Sequence, residues 1–483
     1  QEAQMRTFNN FIWRFAQTEG NYNFSSGSRG KGNLSSEANP YFLFPQIYNF
    51  RYNIFSSEWP VANRVIELYL QKKSENGGWE RQINGISNNE KAVLLLEKRT
   101  FKELLVDMEL RNLQNNIVGQ EASRLFARAE INMGVEAFRD SLYSLLKRNT
   151  FLNIKFENML DTLGEISRTD IRSLLGEWEK TTPLPFYSLG EPTLTKITNK
   201  GGEEFFVLKM LISNNSDYDG IIHMDIRKDG WWYQSLEDPR AKTKIEMPAH
   251  TSKEFVSVWE DQIRNVEINT MVSGNLPNII SQDINNVKQE RNKIVKDSIY
   301  ILPESSFDLP GEIIVDNEDS TLFILSAPPI VGLLPKWLDE VEETPFKYSG
   351  ISWWRPPLQW TATTNDRYYG KYIRSAFVIK SGDGSQTATW KVPVPEVGQY
   401  DLYYHVFKDD ELRWNNNLQG EYHFKVKYGS EVEDAYVNLR KANEGWEQLG
   451  SYYFDSDTIR VVLTDECKLR SVTADAVKIV KRY

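Results

Sequence analysis

The stretch Leu174-Leu-Gly-Glu-Trp-Glu-Lys-Thr-Thr-Pro-Leu-Pro185 is where the period of this chain changes. Before it, apolar residues recur at three- and four-residue steps, the spacing of one helix face. Val61, Val65, Leu68 and Tyr69 form one such set, behind a Pro60 suited to a helix start. Ala92, Leu95 and Leu96 form a second, and Phe101, Leu104, Leu105 and Met108 a third. Phe138, Leu142, Leu145 and Leu146 repeat the pattern, as do Phe156, Met159, Leu160 and Leu163. Ser167-Arg-Thr-Asp170 has the form of a capping box leading into Ile171, Leu174, Leu175 and Trp178. Pro183 and Pro185 cannot continue a helix, and short alternating runs follow.

Those runs read as strands: Phe205 to Ser213, Ile221 to Ile226, Lys244 to Met247, Glu254 to Val258 and Asn265 to Thr270. Lys228-Asp-Gly230 before Trp231-Trp-Tyr233 is a turn signal, and Pro248-Ala-His-Thr251 a loop. Further strands are expected at Ile313 to Val315, Thr387 to Val392, Tyr400 to Val406, Tyr422 to Lys427 and Ile459 to Leu463. The fold class expected is multidomain α + β: a helical domain, an Ig-like β-sandwich and a C-terminal jelly-roll-like β-sandwich. The expected boundaries are an irregular Asn/Ser/Gly-rich segment 1–59, helices 60–187 and an Ig-like sandwich 188–282. A polar connector of uncertain helical pattern, 283–309, then leads to the second sandwich, 310–483.

Composition excludes several classes. Lys plus Arg is 57 against 67 Asp plus Glu, a net charge of −10 with no basic run, which argues against nucleic acid or an anionic membrane. Cys467 is the single cysteine, so disulfide frameworks and cysteine zinc sites are out. The longest apolar run, Thr321 to Leu334, is broken by Pro328 and Pro329, so no membrane-spanning segment is expected. The chain starts at Gln1 without a leader pattern, and an upstream part of the same precursor is expected. Aromatic residues reach 13%, which suits sandwich cores and surfaces that stack on sugars or partner proteins.

Two stretches resemble known families. Met133-Gly-Val-Glu-Ala-Phe-Arg-Asp-Ser-Leu142, Asn149-Thr-Phe151, Phe156-Glu-Asn-Met-Leu160 and Asp170 through Trp178 to Tyr187 resemble the helical region after the zinc site in gluzincin, leukotriene-hydrolase-like aminopeptidases. Ser57 to Arg64 and Asn88 to Ala92 resemble aminopeptidase-like modules of Bacteroidota. Pro310 to Asn317, Tyr369-Gly-Lys-Tyr-Ile-Arg-Ser-Ala376, Ala388-Thr-Trp390, Pro393 to Tyr400, Trp446-Glu-Gln-Leu-Gly450 and Val472-Thr-Ala-Asp-Ala-Val477 occur in sequence. Together they resemble the golvesin C-terminal-like domain, the carbohydrate-binding-like module of xanthan lyases, with Leu322 to Pro357 as an apparent insertion.

The gluzincin resemblance implies zinc held by two histidines one helical turn apart and a distal glutamate. No His-Glu-x-x-His occurs, and His405 and His423, the nearest pair, are 18 residues apart. The tyrosine such a site needs for its oxyanion is also missing, since no Tyr lies between Leu70 and Tyr143. Zinc is therefore not supported. A structural calcium is compatible with oxygen-rich loops such as Asp409-Asp-Glu411, and no other cofactor is expected. Asp316/Asp319 and similar carboxylate pairs acquire glycosidase meaning only across a cleft. Cys467, beside Asp465 and Glu466, is a poor nucleophile.

The remaining signal is aromatic. Trp353, Trp354, Trp360, Tyr368, Tyr369 and Trp414 are the candidate ligand or partner contacts, with ordinary packing as the competing reading; no catalytic or metal residue is assigned. Trp390 and Trp446 are read as core, and every histidine as a satisfied strand or loop residue. The expected function is a non-catalytic cell-envelope scaffold, a degenerate peptidase relative that contacts an envelope protein or a polysaccharide. The alternatives are the C-terminal half of a zinc aminopeptidase whose catalytic half lies upstream, and a carbohydrate-binding module of a polysaccharide-degrading system.

Overall fold

A computed structural model describes residues 52–70, 78–149, 152–198, 202–228, 234–236, 238–284, 286–291, 296–304, 307, 311–326, 346–352, 355–408 and 420–482. Most of segment 1–59, the Trp231-Trp-Tyr233 turn, Asp409-Asp-Glu411, and Trp353, Trp354 and Trp414 lie outside the described residues. Before Pro183 the described elements are helical apart from one parallel pair of short strands, Tyr52–Phe55 with Leu152–Lys155, and after it they are mainly strands, as the change of period predicts.

The first compact unit comprises residues 1–75, 92–183 and 242–246. Its described helices include Ala62–Leu70, Gln114–Met133, Val135–Arg148 and Phe156–Ser167. Most of the three- and four-residue apolar steps turn inward: Val65, Phe138, Leu142 and Leu160 are sealed from solvent, whereas Met108, expected on the same face as Phe101 and Leu104, is 73% exposed. Trp178, in the 3-10 turn Arg172–Glu179, anchors one end of this core. Trp59 meets it edge-on at 5.0 Å between centroids, and Phe101 meets it at 4.9 Å. The expected cap at Ser167 does not form. Ser167 ends the preceding helix, its hydroxyl donating to the Leu163 carbonyl at 2.8 Å, and Asp170 caps instead by accepting the Ser173 N–H at 3.1 Å. Full capping boxes form at Thr100/Glu103 and Ser87/Glu90.

The second unit comprises residues 76–91, 184–241 and 247–483. Its first sheet runs in the order Val287–Arg291, Thr193–Thr198, Glu204–Asn214, Thr251–Trp259, Ser298–Pro303. A second contains Ile279–Asp283, Ile263–Asn269, Gly220–Lys228 and Gln234–Ser235. Within 283–309, expected as a polar connector of uncertain helical pattern, the described residues include two strands. Val287–Arg291 pairs in parallel with Thr193–Thr198, and Ser298–Pro303 pairs antiparallel with Thr251–Trp259. Among the described residues both are edge strands with a partner on one side only, which is why their composition reads as that of a solvated linker.

The C-terminal sandwich stacks a four-stranded sheet on a five-stranded one. The four-stranded order is Glu312–Val315, Val477–Lys481, Gly398–Val406, Gly445–Phe454. The five-stranded order is Phe323–Ser326, Thr387–Pro393, Thr458–Thr464, Glu421–Tyr428, Glu431–Asn438. Tyr404 of the first sheet meets Trp390 and Phe424 of the second at 6.2 and 4.9 Å, and all three are fully buried. A three-stranded sheet, Thr361–Thr364, Ser375–Lys380 and Ser471–Ala474, lies in the same part of the chain. The supposed insertion begins inside the fold, since Phe323 pairs with Trp390 across a ladder.

Candidate ligand-binding face

Strand Gly398–Val406 alternates strictly. Tyr400, Leu402, Tyr404 and Val406 point into the sandwich, which sends Tyr403 and His405 to the outer face. Cross-strand register sets their neighbours: His405 lies opposite Trp446, and Tyr403 opposite Lys478. A register shift between Leu402 and Tyr403 lets the Gly445–Phe454 strand keep Trp446 on this face. The Lys478 ammonium sits 4.8 Å from the Trp446 ring centre and 5.4 Å from that of Tyr403, and pairs with Glu312 at 2.9 Å.

Tyr369 joins from a loop. Its ring lies 5.0 Å from Trp446 and 5.7 Å from His405. The loop is fixed by Gly370, where a Cβ would fall 1.9 Å from the Ile373 carbonyl oxygen, so only glycine allows the close turn. Leu276, from the preceding sandwich, clasps it: its N–H donates to the Tyr372 carbonyl at 3.1 Å, and its carbonyl accepts the Arg374 N–H at 2.6 Å.

Beneath the rings lies Asp475, with no exposed surface. Its carboxylate accepts the Tyr369 N–H at 3.2 and 3.1 Å and faces His405 Nδ1 at 2.8 Å. Its carbonyl accepts the Trp390 indole N–H at 3.2 Å. Burial raises the Asp475 carboxyl above the usual carboxylate range; His405, the Tyr369 N–H and the Arg374 guanidinium pull it back. Arg374 is lowered by its own burial and donates to the Asp366 carbonyl at 2.7 Å. Burial, then the nearness of Asp475, raises Asp316 as well.

The sequence-predicted residues divide. Tyr369 belongs to this face. Tyr368 is buried, its ring 4.6 Å from Phe407, and so is a packing residue. Trp360 packs against the sandwich core, with its indole N–H buried and unpartnered among the described residues. Trp446 was expected in the core, yet the bulge turns it outward, half-buried. Tyr403, His405, Lys478 and Asp475 went unselected, although strand alternation around Tyr400, Leu402 and Tyr404 already places Tyr403 and His405 opposite the core. Asp316 and Asp319 are joined in a turn, where the Asp319 carboxylate accepts the Asp316 N–H at 2.9 Å. Among the described residues, no three His, Cys, Asp or Glu side chains converge as metal ligands. No described helix is long and apolar enough to cross a membrane.

Residues 356–481 match the family model described as the Golvesin C-terminal domain. No curated protein matches the chain. Among solved structures, a Paenibacillus xanthan lyase is similar at 15% identity and TM-score 0.26, over 62% of this chain and 26% of its own. A Bacteroides uniformis beta-glucuronidase is similar at 9% identity and TM-score 0.18, over 66% of this chain and 32% of its own. Legionella pneumophila aminopeptidase A shows 14% identity and TM-score 0.18, over 43% of this chain and 23% of its own. This chain therefore spans between about a quarter and a third of the length of these structures.

Proposed function

We propose that the chain is a non-catalytic, cell-envelope binding protein whose C-terminal sandwich holds a polysaccharide on the outer face of its four-stranded sheet. The observation that carries this reading is the juxtaposition of Tyr369, Tyr403 and Trp446 with His405 and Lys478 on that face. Sugar rings present apolar C–H faces fringed by hydroxyls, so they pair best with half-buried aromatic rings beside fixed polar groups. The golvesin-type assignment of the same residues supports a polysaccharide-related role.

The test is calorimetric titration of the purified chain with gluco-, manno- and xylo-hexaoses. Binding by wild type that falls roughly tenfold in Trp446→Ala, with the fold retained, is the expected result. Absence of binding to any hexaose, or unchanged binding in Trp446→Ala and Tyr403→Ala, would overturn the assignment of this face.

A further inference from the structure

His405 is held in one orientation. Its Nδ1 meets the Asp475 carboxylate at 2.8 Å, and that carboxylate already accepts the Tyr369 N–H. A carboxylate in this position favours, in a neutral imidazole, the tautomer with its proton on Nδ1, in which Nε2 keeps its lone pair. Trp446 and Tyr369 hold the ring from two sides, at 5.2 and 5.7 Å between centroids. Among the described residues the hydrogen bond of this ring runs through Nδ1, and the side chain keeps 13% of its surface exposed. A ring this constrained, with one nitrogen committed inward and part of its surface exposed between two aromatic rings, has the form of a contact point rather than of a core histidine.

We infer that His405 Nε2 is a hydrogen-bond acceptor for a ligand hydroxyl at the aromatic face, and that buried Asp475 is the positioning residue that fixes its tautomer. The inference rests on the reading of this face as a sugar site and deepens it, because it selects for a pyranose hydroxyl donated between the Tyr369 and Trp446 rings. Binding needs no proton transfer; a hydroxyl replaces water at Nε2.

Two measurements test it. In protein labelled with 15N-histidine, the His405 nitrogens are expected to show Nδ1 protonated and Nε2 bare, with the Nε2 resonance moving when the bound hexaose is added. His405→Asn keeps an amide near Asp475 but removes the outward acceptor, and is expected to bind hexaose roughly tenfold more weakly at unchanged melting temperature. A purely structural role would leave the Nε2 resonance unmoved by ligand. Protonated Nε2 in the free protein overturns the inference whatever the binding data show, as does wild-type affinity in His405→Asn while Trp446→Ala is impaired. That last pattern leaves the sugar face standing. No hexaose binding by wild type removes the face and the inference together.

Discussion

Glu90 reaches Asn278 across 188 residues of chain: its Oε1 accepts the Asn278 backbone N–H at 2.9 Å. The same carboxylate takes the Ser87 N–H at 2.6 Å and the Arg81 guanidinium at 3.1 Å, and the residue is 1% exposed. One side chain thus closes a capping box, neutralises an arginine and fastens the loop before Ile279–Asp283. Glu90→Ala would leave these donors without an acceptor and is expected to cost about 3–5 kcal/mol in denaturant unfolding. Glu90→Gln, which retains an acceptor, should cost less.

Trp178 supplies a second prediction. Its indole, 1% exposed, packs on Trp59, Phe101 and Phe156. Trp178→Ala should destabilise the first unit by about 3–5 kcal/mol, the range for deleting a large buried aromatic. Trp178→Phe should recover part of the loss, as read from thermal melts followed by near-ultraviolet dichroism.

His250 predicts a dependence on pH. Its ring lies between Glu304 at 2.9 Å and Asp217 at 2.8 Å, and both contacts raise its pKa, Glu304 more than Asp217. A raised folded-state pKa means that the protonated clamp contributes fully below the unfolded value of about 6.5 and is lost as pH rises through the folded value. Stability of wild type relative to His250→Gln should therefore shrink as pH rises from mildly acidic to alkaline. A constant difference between the two across that range would sink the idea. The ring is exposed, so the effect should also weaken in high salt.

Gly370 links the loop to the aromatic face of Tyr369, Tyr403 and Trp446. Gly370→Ala would force a methyl against the Ile373 carbonyl, 1.9 Å from the ideal Cβ position. The expected outcome is a loss of about 1–3 kcal/mol and displacement of Tyr369, seen as weaker hexaose binding than in wild type.

How much of this was legible in the sequence depends on what each residue faces. Helix-face spacing at Val65, Phe138 and Leu160, and strand alternation at Tyr400 to Val406, survive because one face is buried and the other wet. The strands Val287–Arg291 and Ser298–Pro303 were hidden, because edge strands bury little and so lose the alternation that marks a strand. The cap at Asp170 was misplaced because Ser167, three residues earlier, is chemically as good a cap and only the end of the preceding helix decides between them. The aromatic face was half visible. Tyr369 stood out as one of a run of aromatics, but Trp446 needed the register shift beside Leu402, and Asp475 needed the approach of a loop more than a hundred residues earlier in the chain. Such approaches are set by tertiary packing, which local patterns do not encode.

The golvesin-type match begins at residue 356, yet the sandwich does not. Glu312–Val315 pairs with Val477–Lys481, Phe323–Ser326 with Thr387–Pro393, and Leu276 grips both sides of the turn that ends in Arg374. A fragment cut at the start of the match would expose two raw sheet borders and release the Tyr369 loop from its fastening. Expression boundaries for this module therefore belong upstream of Leu276, and a shorter piece that fails to bind would report on missing scaffolding, not on the ligand.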